Sequence, residues 1–499
     1  MLTDDRSARP STVASAAVSG STLPYAAVPL LLASLTAGVR LSIGPLPVDD
    51  AFITFRYARN IATGVGFVYN AGEHVLGTTT PLWTLLLAGL YWMGLHDLPS
   101  VAVVVSALSD GAIVLLLLRL TNHLGLSWRW ATVLGLLFAF SPLSTIYATG
   151  GMESSLFTLF IVASAIADAE DRPFWAGFLA GVATLVRPEG LLMAALLVVR
   201  RLLTRQLPPA REAMAFALPI IPWLAFAFWW FGSPVPQSVV AKANLYSGPY
   251  SPMSLLAPLA WLDRPALLAF AVCVPLSPGI GRVLRGHMGL LPAMAFAPSL
   301  MLAYAVAGFR PVPLFPWYLV PLVPFCLVGT VVGLRALDHH WHPLGAVIGV
   351  LLIGTSVTGV TLGGPMVPRL GTTPDSRTHE AASAEAARFL EPRLKPQSVV
   401  AVTDLGVIGY LTNARILDML GLVSPATMRY LPLPKGDLTY GFPSELIRDE
   451  QPDYVVIQAD SHASTLESKS WFPRDYRLVA SYDDPTLGHL YLLIYERTR

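Results

Sequence analysis

Apolar runs about as long as a bilayer is thick recur through most of the first 364 positions, and few folds tolerate that pattern. Runs at 25–43, 101–119, 130–148, 153–168, 174–187, 189–203, 213–231, 254–276, 288–307, 317–335 and 343–363 approach the roughly 20 apolar residues of a spanning helix. Charged residues are only 13% of the chain, against roughly 25% in an ordinary soluble domain. The expectation is a polytopic α-helical membrane protein with about 11 transmembrane helices. A net charge of +1 leaves no basic footprint for nucleic acid. The two cysteines, Cys273 and Cys326, both sit inside apolar runs, which argues against a disulfide framework or a cysteine zinc site.

Residues 1–24 are polar and rich in Ser and Ala, and read as a disordered cytoplasmic tail. The run that follows exceeds a signal-peptide apolar segment of about 7–15 residues, so it reads as a retained first span. Arginine then orients the chain. Arg119, Arg129, Arg172, Arg200, Arg201, Arg205, Arg211, Arg282, Arg285 and Arg335 fall in alternate loops, which the positive-inside rule assigns to the cytoplasm. The assignment keeps the first loop, 44–98, outside if the apolar segment at 81–95 lies in the interface or re-enters instead of crossing. Residues 25–364 form the membrane module on this reading, with the N-terminus inside and the C-terminus outside. Residues 365–499 regain charge and carry strand-like runs at 398–403, 454–458 and 489–495, with helix-like stretches such as 380–390 between them. They read as an extracytoplasmic α/β domain.

The outward loops share isolated polar residues in Gly- and Pro-rich settings. They are Asp49-Asp50 with Arg56 and Arg59, Gly150-Gly151-Met152-Glu153, Arg187-Pro188-Glu189-Gly190, the 232–242 loop ending in Lys242, and Arg310 ahead of Phe315-Pro316-Trp317-Tyr318. Ionisable groups near a bilayer are costly and are functional candidates by default. Carboxylates and cations gathered at one face suit transfer of a group from a lipid-held anionic carrier. Such a step needs a base for the incoming hydroxyl and cations for the departing phosphate. A transporter or lipid flippase would instead place polar groups near the midplane and on both sides. A non-enzymatic scaffold binding cell-wall polymer would leave the acid pair unexplained beyond helix capping.

The pattern Asp49-Asp50-Ala51-Phe52-Ile53-x-x-Arg56-Tyr57-Ala58-Arg59-Asn60, with Gly64-x-Gly66-x-x-x-Asn70-x-Gly72-Glu73 and Thr80-Pro81-Leu82-Trp83 after it, resembles integral-membrane glycosyltransferases of the GT-C superfamily. The closest likeness is to actinobacterial cell-wall arabinofuranosyltransferases. A looser one is to protein O-mannosyltransferases and lipid A aminoarabinose transferases. The Gly151-Met152-Glu153 and Arg187-Pro188-Glu189-Gly190 motifs, and in the last domain Asp404-x-Gly406-x-x-Gly409-Tyr410 and 417–422, look like later landmarks of the same group. The resemblance implies a GT-C-like fold on the bacterial cytoplasmic membrane. It also implies a polyprenyl-phosphate sugar as donor and a cell-envelope glycan, glycolipid or protein hydroxyl as acceptor. One displacement with inversion follows, with the base drawn from Asp49 and Asp50.

Either aspartate would also serve as the N-cap of a helix running to Ala62. Arg56, Arg187, Lys242 and Arg310 are the expected donor-phosphate contacts. Glu153, Glu189, Arg59 and Tyr57 are expected at the substrate. Asp404 and Asp418 are expected to be structural or to face the acceptor. No cofactor is required; a divalent metal is left open, with Glu73 and His74 as its candidates in the first loop.

Overall fold

The computed structural model describes residues 23–207, 209–245, 267–268, 271, 288–307, 315–362, 376–433, 441–459, 461–484 and 489–498. Its helices begin with α1 (Leu23–Ile43), α2 (Asp49–Ala62), α3 (Pro81–Trp92) and α4 (Leu98–His123). Then come α5 (Trp128–Ala139), α6 (Pro142–Thr149), α7 (Ser154–Ala169), α8 (Pro173–Val186) and α9 (Gly190–Leu203). Next are α10 (Ala210–Phe231), α11 (Gln237–Leu245), α12 (Leu291–Ala307), α13 (Val323–His340) and α14 (Leu344–Leu362). Proline opens α3, α6 and α8, where its missing N–H is no loss.

Among the described residues four helices are long and apolar enough to cross a membrane: Leu98–His123, Ala210–Phe231, Pro316–His339 and Leu344–Thr361. The pair α5–α6 makes a fifth if it is one bent span. The expected run at 130–148 is therefore two helices, meeting at 47°. Pro142 cannot donate to the preceding turn, and Ser141 caps the new helix by accepting the Ser144 N–H at 3.4 Å. The count of about 11 is not reached by this measure, because several apolar runs fold as helices of 10–17 residues. At twelve residues, or about 18 Å, α3 is shorter than the hydrocarbon core. The expected tail and most of the run at 254–276 lie outside the described residues.

Helices α1, α4 and α5–α6 are pinned by one buried cation. Arg40 donates to Asp110 Oδ2 at 3.0 Å, to the Phe138 carbonyl at 3.1 Å, to Ser144 Oγ at 3.3 Å and to the Ala139 carbonyl. Asp168 plays a similar part elsewhere, accepting from Arg200 at 2.8 Å and Arg201 at 3.0 Å, while Arg201 also reaches Glu212. Buried charge is tolerated in these places because it is paired.

The last region opens with α15 (Ser376–Leu390) and builds a five-stranded sheet. Its strands are β1 (Val399–Val402), β2 (Arg415–Asp418), β3 (Tyr454–Gln458), β4 (Tyr476–Asp484) and β5 (His489–Arg497), in the order β2-β1-β3-β5-β4. The first three run parallel; β5 is antiparallel to both β3 and β4. Helix α16 (Gly406–Leu411) connects β1 to β2. Strands β2 and β4 were not among the expected runs. Their apolar stretches are short or broken by charge. One apolar cluster unites Ile53, Tyr57, Phe67 and Tyr69 of the first loop with Val400, Val402, Ile416 and Val456 of the sheet. The loop and the C-terminal domain thus share a core.

Candidate active site

Helix α2 starts at Asp49, with Val48 as its N-cap residue and no side-chain cap bond. The expected capping role is therefore not realised on this helix. Consecutive side chains on a helix diverge by about 100°, so neighbours face different surroundings. Asp49 turns to the C-terminal domain. Its Oδ2 accepts the Gly406 N–H at 2.9 Å and its Oδ1 the Val407 N–H at 2.8 Å, capping α16. A Cβ at Gly406 would stand 1.8 Å from the Asp49 carbonyl oxygen, so only glycine allows this approach. Burial, then the nearby Asp404, push the Asp49 carboxyl up to about 7, against the pull of the two amide bonds.

Asp50 instead lines a cavity of about 290 Å³. Glu153, Arg187, Glu189 and Lys242 line the same cavity. Arg187 ends α8 in extended conformation, as expected of a residue before proline. Its guanidinium donates to Glu153 Oε1 at 2.9 Å and to Glu189 Oε1 at 2.8 Å. Glu189 also accepts from Tyr304 Oη at 2.9 Å, whereas among the described residues Arg187 is the side chain that donates to Glu153. The Tyr318 ring lies 4.7 Å from the guanidinium carbon, and Lys242 Nζ lies 5.5 Å from the Phe315 ring. Both arrangements are cation–π contacts, which hold a cation without neutralising it. Of the residues expected at the site, Asp50, Glu153, Arg187, Glu189 and Lys242 line this one space. Arg310 lies outside the described residues.

Besides Asp49, three expected site residues do not line this cavity. Arg56 is buried at 5% exposure and donates to the carbonyls of Tyr69 at 2.9 Å, Gly409 at 2.7 Å and Ala414 at 2.8 Å. Arg59 donates to the Tyr410 carbonyl at 2.9 Å. Tyr57 donates to the Val75 carbonyl at 2.7 Å and accepts the Gly77 N–H at 3.0 Å. These side chains satisfy backbone groups where the first loop meets the C-terminal domain. The metal candidates are likewise engaged separately. Glu73 pairs with Arg415 at 2.7 Å and accepts from Asn70, and His74 stacks on Trp230 at 4.0 Å. Among the described residues no three His, Cys, Asp or Glu side chains are placed to share a metal ion.

Asp418 is structural. Its carboxylate accepts the N–H groups of Leu420 and Val423, each at 2.8 Å, and this folds the loop that brings Leu422 into the cavity wall. Burial pushes its carboxyl up to about 6. Asp404 accepts from Gln458 at 2.7 Å. Sequence reasoning gave no site role to Thr78, Thr80, Ser238 or Leu422, all of which line the cavity. Thr80 and Leu422 stood in the Thr80–Trp83 and 417–422 motifs, and Ser238 in the 232–242 loop.

Residues 374–495 match a family described as a domain of unknown function (DUF8728). Two curated relatives are both named terminal β-(1→2)-arabinofuranosyltransferase. The one from Mycobacterium tuberculosis is 27% identical over 354 residues, covering 63% of this chain and 56% of the relative. The one from Corynebacterium glutamicum is 27% identical over 395 residues, covering 67% of this chain and 55% of the relative. The chain thus spans little more than half the length of these relatives. Among solved structures, ArnT from Cupriavidus metallidurans bound to undecaprenyl phosphate superposes with a TM-score of 0.60 at 15% identity. That match covers 95% of this chain and 98% of ArnT. The chain shares the fold of ArnT, and it is a multi-pass membrane protein with a small C-terminal sheet.

Proposed function

We propose that this chain is a glycosyltransferase that moves a sugar from a polyprenyl-phosphate carrier to a cell-envelope hydroxyl, with Asp50 as general base. The observation that carries the reading is the division of the acid pair: Asp50 shares a cavity with Arg187 and Lys242, while Asp49 is bound to α16. The ArnT fold, seen there with undecaprenyl phosphate, supports the donor class, and the named relatives make arabinofuranose the first sugar to test.

The acceptor oxygen attacks the anomeric carbon and its proton passes to Asp50. The bond from that carbon to the phosphate oxygen breaks, and the sugar inverts because only one displacement occurs. Lys242 and Arg187 receive the charge that grows on the departing phosphate. Arg187 is already shared by Glu153 and Glu189, so an arriving phosphate competes with Glu153, the carboxylate without the tyrosine bond. On the arginine distribution, the reaction takes place at the extracytoplasmic face of a bacterial cytoplasmic membrane, in a protein of about 11 spans. The C-terminal domain, residues 365–499 in this division, closes the site from outside.

The test uses purified protein in nanodiscs with a panel of polyprenyl-phosphate sugars and a crude cell-envelope extract as acceptor, following release of polyprenyl phosphate by mass spectrometry. Wild type should release it from one donor, Asp50→Asn should not, and Asp49→Asn should retain measurable release. Equal release by all three proteins would sink the mechanism.

A further inference from the structure

The charged part of the cavity has a task in the reaction above; its hydroxyl-bearing part has none. Thr78 and Thr80 come from the loop before α3, and Ser238 from the first turn of α11. All three are more than nine-tenths buried, at 5%, 6% and 6% exposure. Thr78 and Thr80 share a hydroxyl–hydroxyl bond of 3.0 Å, and Thr78 Oγ1 also accepts the Thr80 N–H at 3.2 Å. Ser238 Oγ, by contrast, has no hydrogen-bond partner among the described residues. A buried hydroxyl left unpaired is a standing penalty in a folded chain, and a ligand hydroxyl would remove it.

Gln237 builds this wall. Its backbone N–H donates to the Leu76 carbonyl at 2.8 Å, which sets Ser238 beside the threonine loop. Its side-chain Nε2 donates to the Gly421 carbonyl at 2.8 Å, which ties both segments to the loop that carries Leu422. Ser238 and Lys242 stand one turn apart on α11, on one face, and both line the cavity. A phosphate held by Lys242 therefore brings its substituent within reach of Ser238. The cavity, about 290 Å³, falls just below the usual range for small-ligand sites, which suits a single sugar unit.

We infer that Ser238, with Thr78 and Thr80 beside it, is the subsite for ring hydroxyls of the donor sugar and determines which sugar is accepted. The inference rests on the glycosyltransferase reading above. Ser238 touches the sugar and takes no part in moving the proton.

Two measurements on full-length protein in nanodiscs test it. The first is affinity for sugar-free polyprenyl phosphate and for the same lipid carrying single pentoses or hexoses. The second is turnover of those donors. Ser238→Ala should weaken binding of the preferred sugar-bearing lipid roughly 3–10-fold, the range of one net hydrogen bond, and leave the sugar-free lipid unchanged. Ser238→Thr, which keeps the hydroxyl, should recover part of the loss. A donor lacking the recognised ring hydroxyl should bind wild type and Ser238→Ala equally. Equal weakening of both lipids, or an unchanged preference among sugars, overturns the subsite while leaving the enzyme reading standing. A wild type that binds neither lipid and turns over no donor overturns both.

Discussion

Arg187 and Arg56 are both buried arginines, yet they are held in opposite ways. Arg187 pairs with two carboxylates at the edge of a cavity, and one of them, Glu153, has no hydroxyl partner among the described residues to retain it. Arg56 is held by three backbone carbonyls from two distant parts of the chain. A carboxylate can yield its place to an incoming phosphate and move aside. A backbone carbonyl in a packed loop cannot. The first arrangement can exchange partners, and the second fixes a joint.

The largest expected effect separates the two regions outright. Asp50→Asn should lower kcat by about 10²–10⁴-fold, the usual contribution of a positioned base, with the melting temperature unchanged. Next comes the joint. Arg56→Met leaves buried carbonyls unpaired and should destabilise the protein by about 3 kcal/mol, since each such group costs about 1–3 kcal/mol. Thermal unfolding in detergent measures this, and unchanged stability would mean that the joint carries no load. Gly409→Ala should act alike, because its Cβ would stand 1.9 Å from Tyr69 Oη.

A smaller effect probes exchange in the cleft. Glu153→Gln removes one of the two negative partners of Arg187, so sugar-free polyprenyl phosphate should bind a few-fold tighter, on the order of 1 kcal/mol. Weaker binding by this variant would show that Glu153 holds Arg187 in place for the phosphate instead of competing with it. The smallest effect is a slope. Asp49 is raised from 3.8 to about 7, so the native state keeps a proton that the unfolded chain gives up. Its stabilising contribution is complete below about pH 4 and is lost as the pH rises to about 7. Asp418, raised to about 6, adds a similar decline. Asp49→Asn should make the fall in melting temperature between pH 4 and 7 shallower without abolishing it; an identical slope would contradict the burial of this carboxyl.

The sequence made the cleft legible because charge is conspicuous among apolar runs. Asp50, Glu153, Arg187, Glu189 and Lys242 stand out for that reason. The joint was hidden by distance, since the partner of Arg56 at Gly409 lies 353 residues away and offers only a backbone oxygen. No side-chain pattern announces such a contact, and an arginine near a membrane face reads as a phosphate ligand. Asp49 and Asp50 could be told apart only by knowing which side of α2 the C-terminal domain covers. Ser238, Thr78 and Thr80 resembled ordinary turn and helix-start residues. The bend at Pro142 was legible in principle from its proline, but the apolar run continued across it.

The cap that Asp49 places on α16 also sets a schedule for the ribosome. Asp49 and Val407 are separated by 358 residues, so the acid pair leaves the ribosome long before its anchor exists. At roughly 5–20 residues per second, that interval is on the order of 20–70 s. Until the last quarter of the chain has been made and docked, α2 lacks its anchor, and a nascent chain already inserted in the membrane waits without a finished site.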